Sequence, residues 1–289
     1  FHGWHDYLLM NIASPADKIG KKDPGSAGQL ADAIDNTIIV PFNDLAATEQ
    51  AILDHPGQIA AIFMEAIPHN IGCVLPRQDF VEGLRRLCDQ HGIVLVFDEV
   101  ITGFRHGLGG YQSVLGVKPD ISTFAKAIAN GYPCAIIAGK RELMLQFSTA
   151  PGGKVFVGGT YNGHPVGSAA ALATIAALED GSIYERTFRL GDRMRTGLAE
   201  IAGRLGIEMV SAGFGSVFTP YFMSGKVERY EDLLANDTAR DLAFRQGMCE
   251  RGIFMLPMPI KRNHISAAHT DADIDRTLET AEIVMKTLR

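Results

Sequence analysis

A strand-sized apolar run, Ile93–Phe97 (IVLVF), follows directly on a helical pattern that stops at Gly92, and this junction constrains the fold more than any other part of the chain. The run has β-branched residues at Ile93, Val94 and Val96 and no polar residue alternating with them. Such a strand wants cover on both faces, which a parallel sheet with flanking helices provides. Upstream, Asp79–His91 carries Phe80, Leu84 and Leu87 at helical spacing with charges between them, which predicts an amphipathic helix with a glycine stop. Before it, Gln58–Glu65 (QIAAIFME) is another short apolar run behind the breaker pair Pro56-Gly57. Strand, helix and strand in this order make a βαβ unit.

The alternation continues through Asp120–Phe124 and Cys134–Gly139 as further strands and an alanine-rich helix over Pro165–Leu178. After Gly181 the texture turns helix-rich. Ile183–Leu205 is amphipathic, Glu208–Ser211 and Ser216–Met223 read as strands, and Asp271–Leu288 places Ile274, Leu278, Ala281 and Met285 on one helical stripe. Asp271 is expected to form part of that helix's N-terminal cap. The pattern predicts an α/β domain with a mostly parallel sheet over residues 1–180 and a smaller α+β domain over 181–289. The chain opens on Phe1, inside what reads as a structured motif (FHGWHD), so the first domain is expected to lack its N-terminal portion.

Composition narrows the function. The chain has 289 residues, 46% hydrophobic and 21% charged, enough for one large and one smaller folded domain. Its net charge is −6 and no Lys/Arg-dense block appears, so nucleic acid is not an expected partner. Cys73, Cys88, Cys134 and Cys249 are scattered without a CxxC pair, which favours reduced thiols over a disulfide framework or a metal site. No apolar stretch reaches membrane-spanning length. A cytoplasmic enzyme or binding protein acting on small molecules is the expectation.

Chemistry is sought at the carboxyl ends of the strands, where ligands bind in open α/β sheets. The run VLVFDEV puts Asp98 and Glu99 at such an end. A carboxylate there is costly to bury unless a cation meets it; by itself it reads equally as a helix cap or a solvated acid. One crossover and one strand later comes Lys126, flanked by Phe124, Ala125, Ala127 and Ile128. Desolvation by such neighbours favours the neutral, nucleophilic amine; by itself the residue reads equally as a lysine on the wet face of a short helix. An acid after one strand and a lysine in an apolar turn after the next are what pyridoxal 5′-phosphate (PLP) requires: a lysine for its aldehyde and an acid for its pyridine nitrogen.

The segments FHGWHD (1–6), MEAIPHNIG (64–72), VFDEVITGFR (96–105), PDISTFAKAIANGYP (119–133), GGTYNGHP (158–165) and SAAHTDADIDRTLE (266–279) resemble, in this order, the class III aminotransferases of PLP fold type I, the aspartate aminotransferase-like fold. The nearest branch is the glutamate-1-semialdehyde aminomutase group. The resemblance implies that Lys126 carries the cofactor and shuttles the proton, and that Asp98 pairs with the pyridinium. It implies that Val100 packs against one ring face and Phe1, followed by His2-Gly3, against the other. Glu65 is the acid near the pocket, although Ala66 stands where the family has proline. Thr160 would donate to the cofactor phosphate from a neighbouring subunit of a homodimer; a turn serving its own chain is the alternative. Ile101 replaces the glutamine of ornithine- and GABA-type members and points towards the aminomutase-like branch. Arg105 and Arg262 are candidates for carboxylate contacts. The family's N-terminal phosphate turn and substrate-carboxylate residues are absent from this sequence. The implied function is amino transfer between an amino acid or amine and a 2-oxo acid or aldehyde. Three alternatives stand beside it: an intramolecular 1,2-amino shift, a PLP decarboxylase or racemase, and an inactive fragment that only binds a partner chain.

Overall fold

The computed structural model describes residues 1–288. Two compact units emerge: one gathers Phe1–Ala47, Ile67–Arg77 and the chain from Ser182 onward, the other Thr48–Ala66 and Gln78–Gly181. The second unit holds a four-stranded sheet in the order β1 (Ala61–Glu65), β2 (Val94–Glu99), β3 (Ile121–Phe124) and β4 (Ile136–Gly139). The first three strands are parallel and β4 runs antiparallel to β3. That reversal has a length reason. Only residues 125–135 separate β3 from β4, and a parallel return needs a crossover of a dozen residues or more.

Helix α1 (Gln78–His91) precedes β2 and buries Phe80, Leu84, Leu87 and Cys88 along one stripe. Gly92, at φ 67°, ends it and turns the chain into the strand, a conformation that suits glycine because it has no Cβ to clash. Along β2 the side chains alternate between faces. Leu95, Phe97 and Glu99 lie on one face and have no or almost no exposure, and Val94, Val96 and Asp98 lie on the other. Asp120 rivets three strands together just before β3. Its amide donates to Leu95 O at 2.8 Å and its carbonyl accepts from Lys140 N at 2.9 Å. Its carboxylate accepts from Leu95 N at 2.7 Å and pairs with Arg85 of α1 at 3.0 Å and with Lys140 at 2.6 Å. Burial works against this charge, and the Lys140, Leu95 and Arg85 contacts outweigh it, holding the Asp120 carboxyl below its usual range. Helix α2 (Tyr111–Leu115) lies between β2 and β3. Helix α3 (Pro165–Leu178) is apolar over most of its surface yet buries only Gly167, Ala171 and Leu178, leaving Val166 and Leu172 more than half exposed.

The other unit carries α4 (Ser182–Leu205), a three-stranded antiparallel sheet of β5 (Val210–Ala212), β6 (Val217–Tyr221) and β7 (Asn263–His264), and helices α5 (Thr238–Glu250) and α6 (Asp271–Thr287). Leu190, Met194 and Leu198 of α4 share a core with Ile274, Ala281 and Met285 of α6, and with Phe218, Phe244 and Met248. Each of these leucine, isoleucine, methionine and phenylalanine side chains taken fully from water contributes about 1.5–3 kcal/mol. Helix α6 begins at Asp271, as the sequence predicts, but its cap lies one residue earlier. Thr270 is the cap, its hydroxyl accepting from Asp273 N at 3.3 Å while Asp273 accepts from Thr270 N at 2.8 Å; Asp271 instead binds Arg189 and Arg193 of α4 at 2.7 and 3.2 Å.

Helix α5 was not anticipated, because its core-facing positions are partly charged. Asp241 and Arg245 are both wholly buried and paired at 2.6 Å. Arg245 also donates to the carbonyls of Leu256 and Lys261, at 3.2 and 2.7 Å, and Asp241 accepts from Ile260 N at 2.7 Å. The segment 67–77 joins this unit through Val74, which packs with Tyr221, Met223 and Leu233, and through Cys73 N, which donates to the Tyr221 hydroxyl at 2.7 Å. Asn43 bridges nearby, donating to Leu75 O and Glu228 O.

Candidate active site

Parallel pairing aligns Glu65 of β1 with Asp98 of β2, and Asp98 with Thr123 of β3. Register partners in a sheet present their side chains on one face, so these three form a polar row across the carboxyl ends of three adjacent strands. Asp98 Oδ1 accepts from Val100 N at 2.9 Å and from the Thr123 hydroxyl at 3.5 Å. The carboxylate is thereby oriented by the chain's own donors. Thr123 escaped the sequence reading; its signal is period-2 alternation, which sets it beside Asp98 once the β2–β3 register is known.

Lys126 stands three residues beyond Thr123, where β3 gives way to a 3-10 turn over Lys126–Ala129. The turn is held by Ile128 and Ala129, both buried against Ala171 of α3. Close approach of α3 depends on Gly167, where a Cβ would sit 2.7 Å from Pro133 O. The lysine backbone is held at φ 50°, and Asn130 at φ 44° closes the turn. A left-handed conformation costs a non-glycine residue about 1–2 kcal/mol, and strain of this kind concentrates at functional sites. Apolar flanks were expected to desolvate Lys126. The structure differs: the flanking Ile128 and Ala129 take the interior positions and Lys126 itself is exposed.

Glu99, adjacent to Asp98, points to the opposite face and is wholly buried. Its carboxylate accepts from the Thr102 hydroxyl, from Tyr111 N at 2.9 Å and from Gln112 N at 2.7 Å. Burial pushes the Glu99 carboxyl up, against the lowering pull of these three donors. Val100 is half-buried at the start of the loop that Glu99 holds. Arg105 lies in the same loop and donates to Ile101 O at 3.0 Å.

Thr160 is exposed in the turn that leads into α3. That turn is closed by bonds from Asn162 N to Gly159 O and from His164 N to Tyr161 O. Phe1 and His2 belong to the other unit, as does Arg262, which donates to His69 O and to Asn70 Oδ1. Glu65, Asp98, Val100 and Lys126 are thus gathered at one end of the β1–β3 sheet, and Thr160 lies in the turn before α3 of the same unit. The donor set suits a phosphorylated pyridine aldehyde: an oriented carboxylate for a ring cation, a primary amine for the aldehyde and a glycine-bracketed hydroxyl for the phosphate. Among the described residues no group of three or more His, Cys, Asp or Glu is placed to hold a metal ion, and no helix is long and apolar enough to cross a membrane.

The family model for class-III aminotransferases matches residues 1–232. A glutamate-1-semialdehyde 2,1-aminomutase from Caldivirga maquilingensis is 37% identical over 289 residues, covering 100% of this chain and 66% of that protein. Among solved structures, an omega-transaminase from Sphaerobacter thermophilus superposes with a TM-score of 0.90 at 27% identity, over 100% of this chain and 67% of its own. A transaminase with PLP bound gives a TM-score of 0.88 at 25% identity, over 100% and 65%. The chain therefore has the fold of the PLP fold type I transaminases and spans about two thirds of the length of the relatives it matches.

Proposed function

The chain belongs to the class-III aminotransferases, and from that premise we propose that the protein transfers an amino group between an amino acid or amine and a 2-oxo acid or aldehyde, with PLP as cofactor. The observation that carries this reading is the register of Asp98 with Thr123, three residues before a lysine held at φ 50°. When bound, PLP supplies an electron sink beside the reacting carbon and an aldehyde that accepts the amino group. Lys126 Nζ would hold the cofactor through its aldehyde carbon and, once the substrate's amine has displaced it, would carry the proton from the substrate's α-carbon to that former aldehyde carbon. Asp98, oriented by Val100 N and the Thr123 hydroxyl, keeps a proton on the ring nitrogen, because a carboxylate stabilises the neighbouring cation. Val100 would pack against one face of the ring, Glu65 lies beside Asp98 in the same row, and Thr160 would bind the phosphate from a neighbouring subunit. Phe1 and His2 keep the cofactor-contact role that the resemblance implies.

A homodimer and a cytoplasmic location are part of the same proposal, as is the functional division at residues 180 and 181. The dimer is supported by α3, whose apolar surface includes exposed Val166 and Leu172; helices apolar all round are normally covered. Free thiols at Cys73 and Cys88, both buried, suit a reducing compartment.

An intramolecular 1,2-aminomutase is the second reading, favoured by the aminomutase name of a 37% identical relative and by Ile101 after Asp98-Glu99-Val100. Borohydride reduction after PLP loading should attach cofactor at Lys126 in the wild type and not in Lys126→Ala, and Asp98→Asn should retain PLP while losing most turnover. Attachment at another lysine, or full turnover in Asp98→Asn, refutes the assignment. A requirement for an external amino donor separates transfer from the intramolecular shift.

A further inference from the structure

We propose that Glu99 is the positioning residue for Asp98, acting through the loop that its carboxylate gathers on the far side of the sheet; this rests on the reading of Asp98 as the acid at the cofactor nitrogen. The two carboxylates are consecutive in β2 and so face opposite sides. Asp98 is half-buried in the row with Glu65 and Thr123, whereas Glu99 is wholly buried. The Thr102 hydroxyl and Tyr111 N share Glu99 Oε2, and Gln112 N takes Oε1. Both ends of the segment from Val100 to Gln112 are therefore tied to one carboxylate.

The fit around that carboxylate leaves no slack. A Cβ on Gly110, which sits at φ 72°, would lie 2.6 Å from Glu99 Oε1. At Gly103 it would lie 2.7 Å from Glu99 O and 2.4 Å from Cδ1 of Phe124, and Gly103 N already donates to Glu99 O at 2.8 Å. The first residue of this tied segment is Val100, and its N–H is the 2.9 Å donor that orients Asp98 Oδ1. Where Glu99 sets the path of the loop, it sets the direction of that donor. A carboxylate suits the task because both oxygens only accept. Glutamine would turn an NH2 group towards one set of donors and leave buried N–H or O–H groups facing it.

The test uses the full chain and five variants: Glu99→Gln, Thr102→Val, Gly110→Ala, Asp98→Asn and the Glu99→Gln/Asp98→Asn double. Amide hydrogen exchange without cofactor reports on the loop. Glu99→Gln and Gly110→Ala should each speed exchange at Tyr111 and Gln112 at least tenfold, Thr102→Val should do so by less, and Asp98→Asn should leave it unchanged. The absorbance spectrum of bound PLP reports on Asp98. Glu99→Gln should displace it in the same direction as Asp98→Asn and add nothing in the double variant, the non-additivity expected when one residue acts through the other. Thr102→Val is close to isosteric and keeps the test decisive if Glu99→Gln does not fold; its spectrum should shift in the same direction. A wild-type spectrum in variants whose loop exchanges fast overturns the proposal, because Glu99 then serves only the fold. Additive spectral changes overturn it as well. A wild-type chain that takes up no PLP overturns the functional reading and this proposal together, and slow loop exchange in Glu99→Gln overturns the role of Glu99 alone.

Discussion

Replacing Asp120 with alanine removes the carboxylate that joins α1, β2 and β4 at the start of β3, and the loss can be worked from its partners. The Leu95 amide, bonded at 2.7 Å in a buried position, is left without its acceptor, which costs about 1–3 kcal/mol. The Arg85 bond at 3.0 Å is charge-assisted and contributes about 1.5–3 kcal/mol, taken at the lower end because Arg85 keeps Asp89 at 2.7 Å. Lys140 is an exposed partner whose share is left uncounted. The sum is a loss of about 2.5–4.5 kcal/mol at pH 7. Urea unfolding followed by far-ultraviolet circular dichroism measures it; Trp4 is 89% exposed and lies in the other unit, which makes it a poor reporter on this sheet. The pH dependence follows from the depressed carboxyl. A group whose folded value lies below its unfolded value of about 3.9 stabilises fully above that value and ceases to do so as pH falls through the folded one. The gap between wild type and variant should be widest at pH 7 and narrow below about pH 4. A loss under about 1 kcal/mol, or a gap that stays constant into acid, refutes the reasoning.

Lys126→Gly should be more stable than Lys126→Ala by about 0.5–1 kcal/mol, because glycine relieves the φ of 50° while losing backbone entropy on folding; thermal unfolding of the two variants checks this, and an order of Ala above Gly contradicts the strain. Arg245→Met should cost about 3–5 kcal/mol by stranding the buried Asp241 and should speed amide exchange at Ile260; a change below about 1 kcal/mol in urea unfolding would show the pair to be dispensable. Thr270→Ala should cost about 1 kcal/mol by opening the cap of α6, and an unchanged melting temperature would place the helix start elsewhere.

Much of this architecture was legible in the chain. The Ile93–Phe97 run became β2, and Pro165–Leu178 became a helix with those bounds, because continuous apolar or alanine-rich runs leave little choice of period. What stayed hidden was set by partners distant in sequence. Helix α5 reads as polar because Asp241 and Arg245 occupy core positions and satisfy each other there. The two-residue β7 exists only through its pairing with Val217 and Phe218. At the site, Asp98 and Lys126 could be named from residue type and spacing. Thr123, and the opposite orientation of Glu99, required the strand register that only pairing supplies. Lys126 is exposed because its flanks fill the interior in its place, which is the wet-face alternative that residue type left open.

The path of the chain through its two units also has a consequence in time. It passes between them four times, at residues 47–48, 66–67, 77–78 and 181–182. The segment 67–77 leaves the ribosome with its sheet neighbours, but its own partners lie far downstream: Cys73 meets the Tyr221 hydroxyl across 148 residues. At about 5–20 residues per second, Val74 and Cys73 wait about 7–30 seconds for β6 to emerge. During that interval the strands on either side can pair while this connector stays unburied, a nascent state in which an apolar valine and a free thiol are open to chaperones and to other chains.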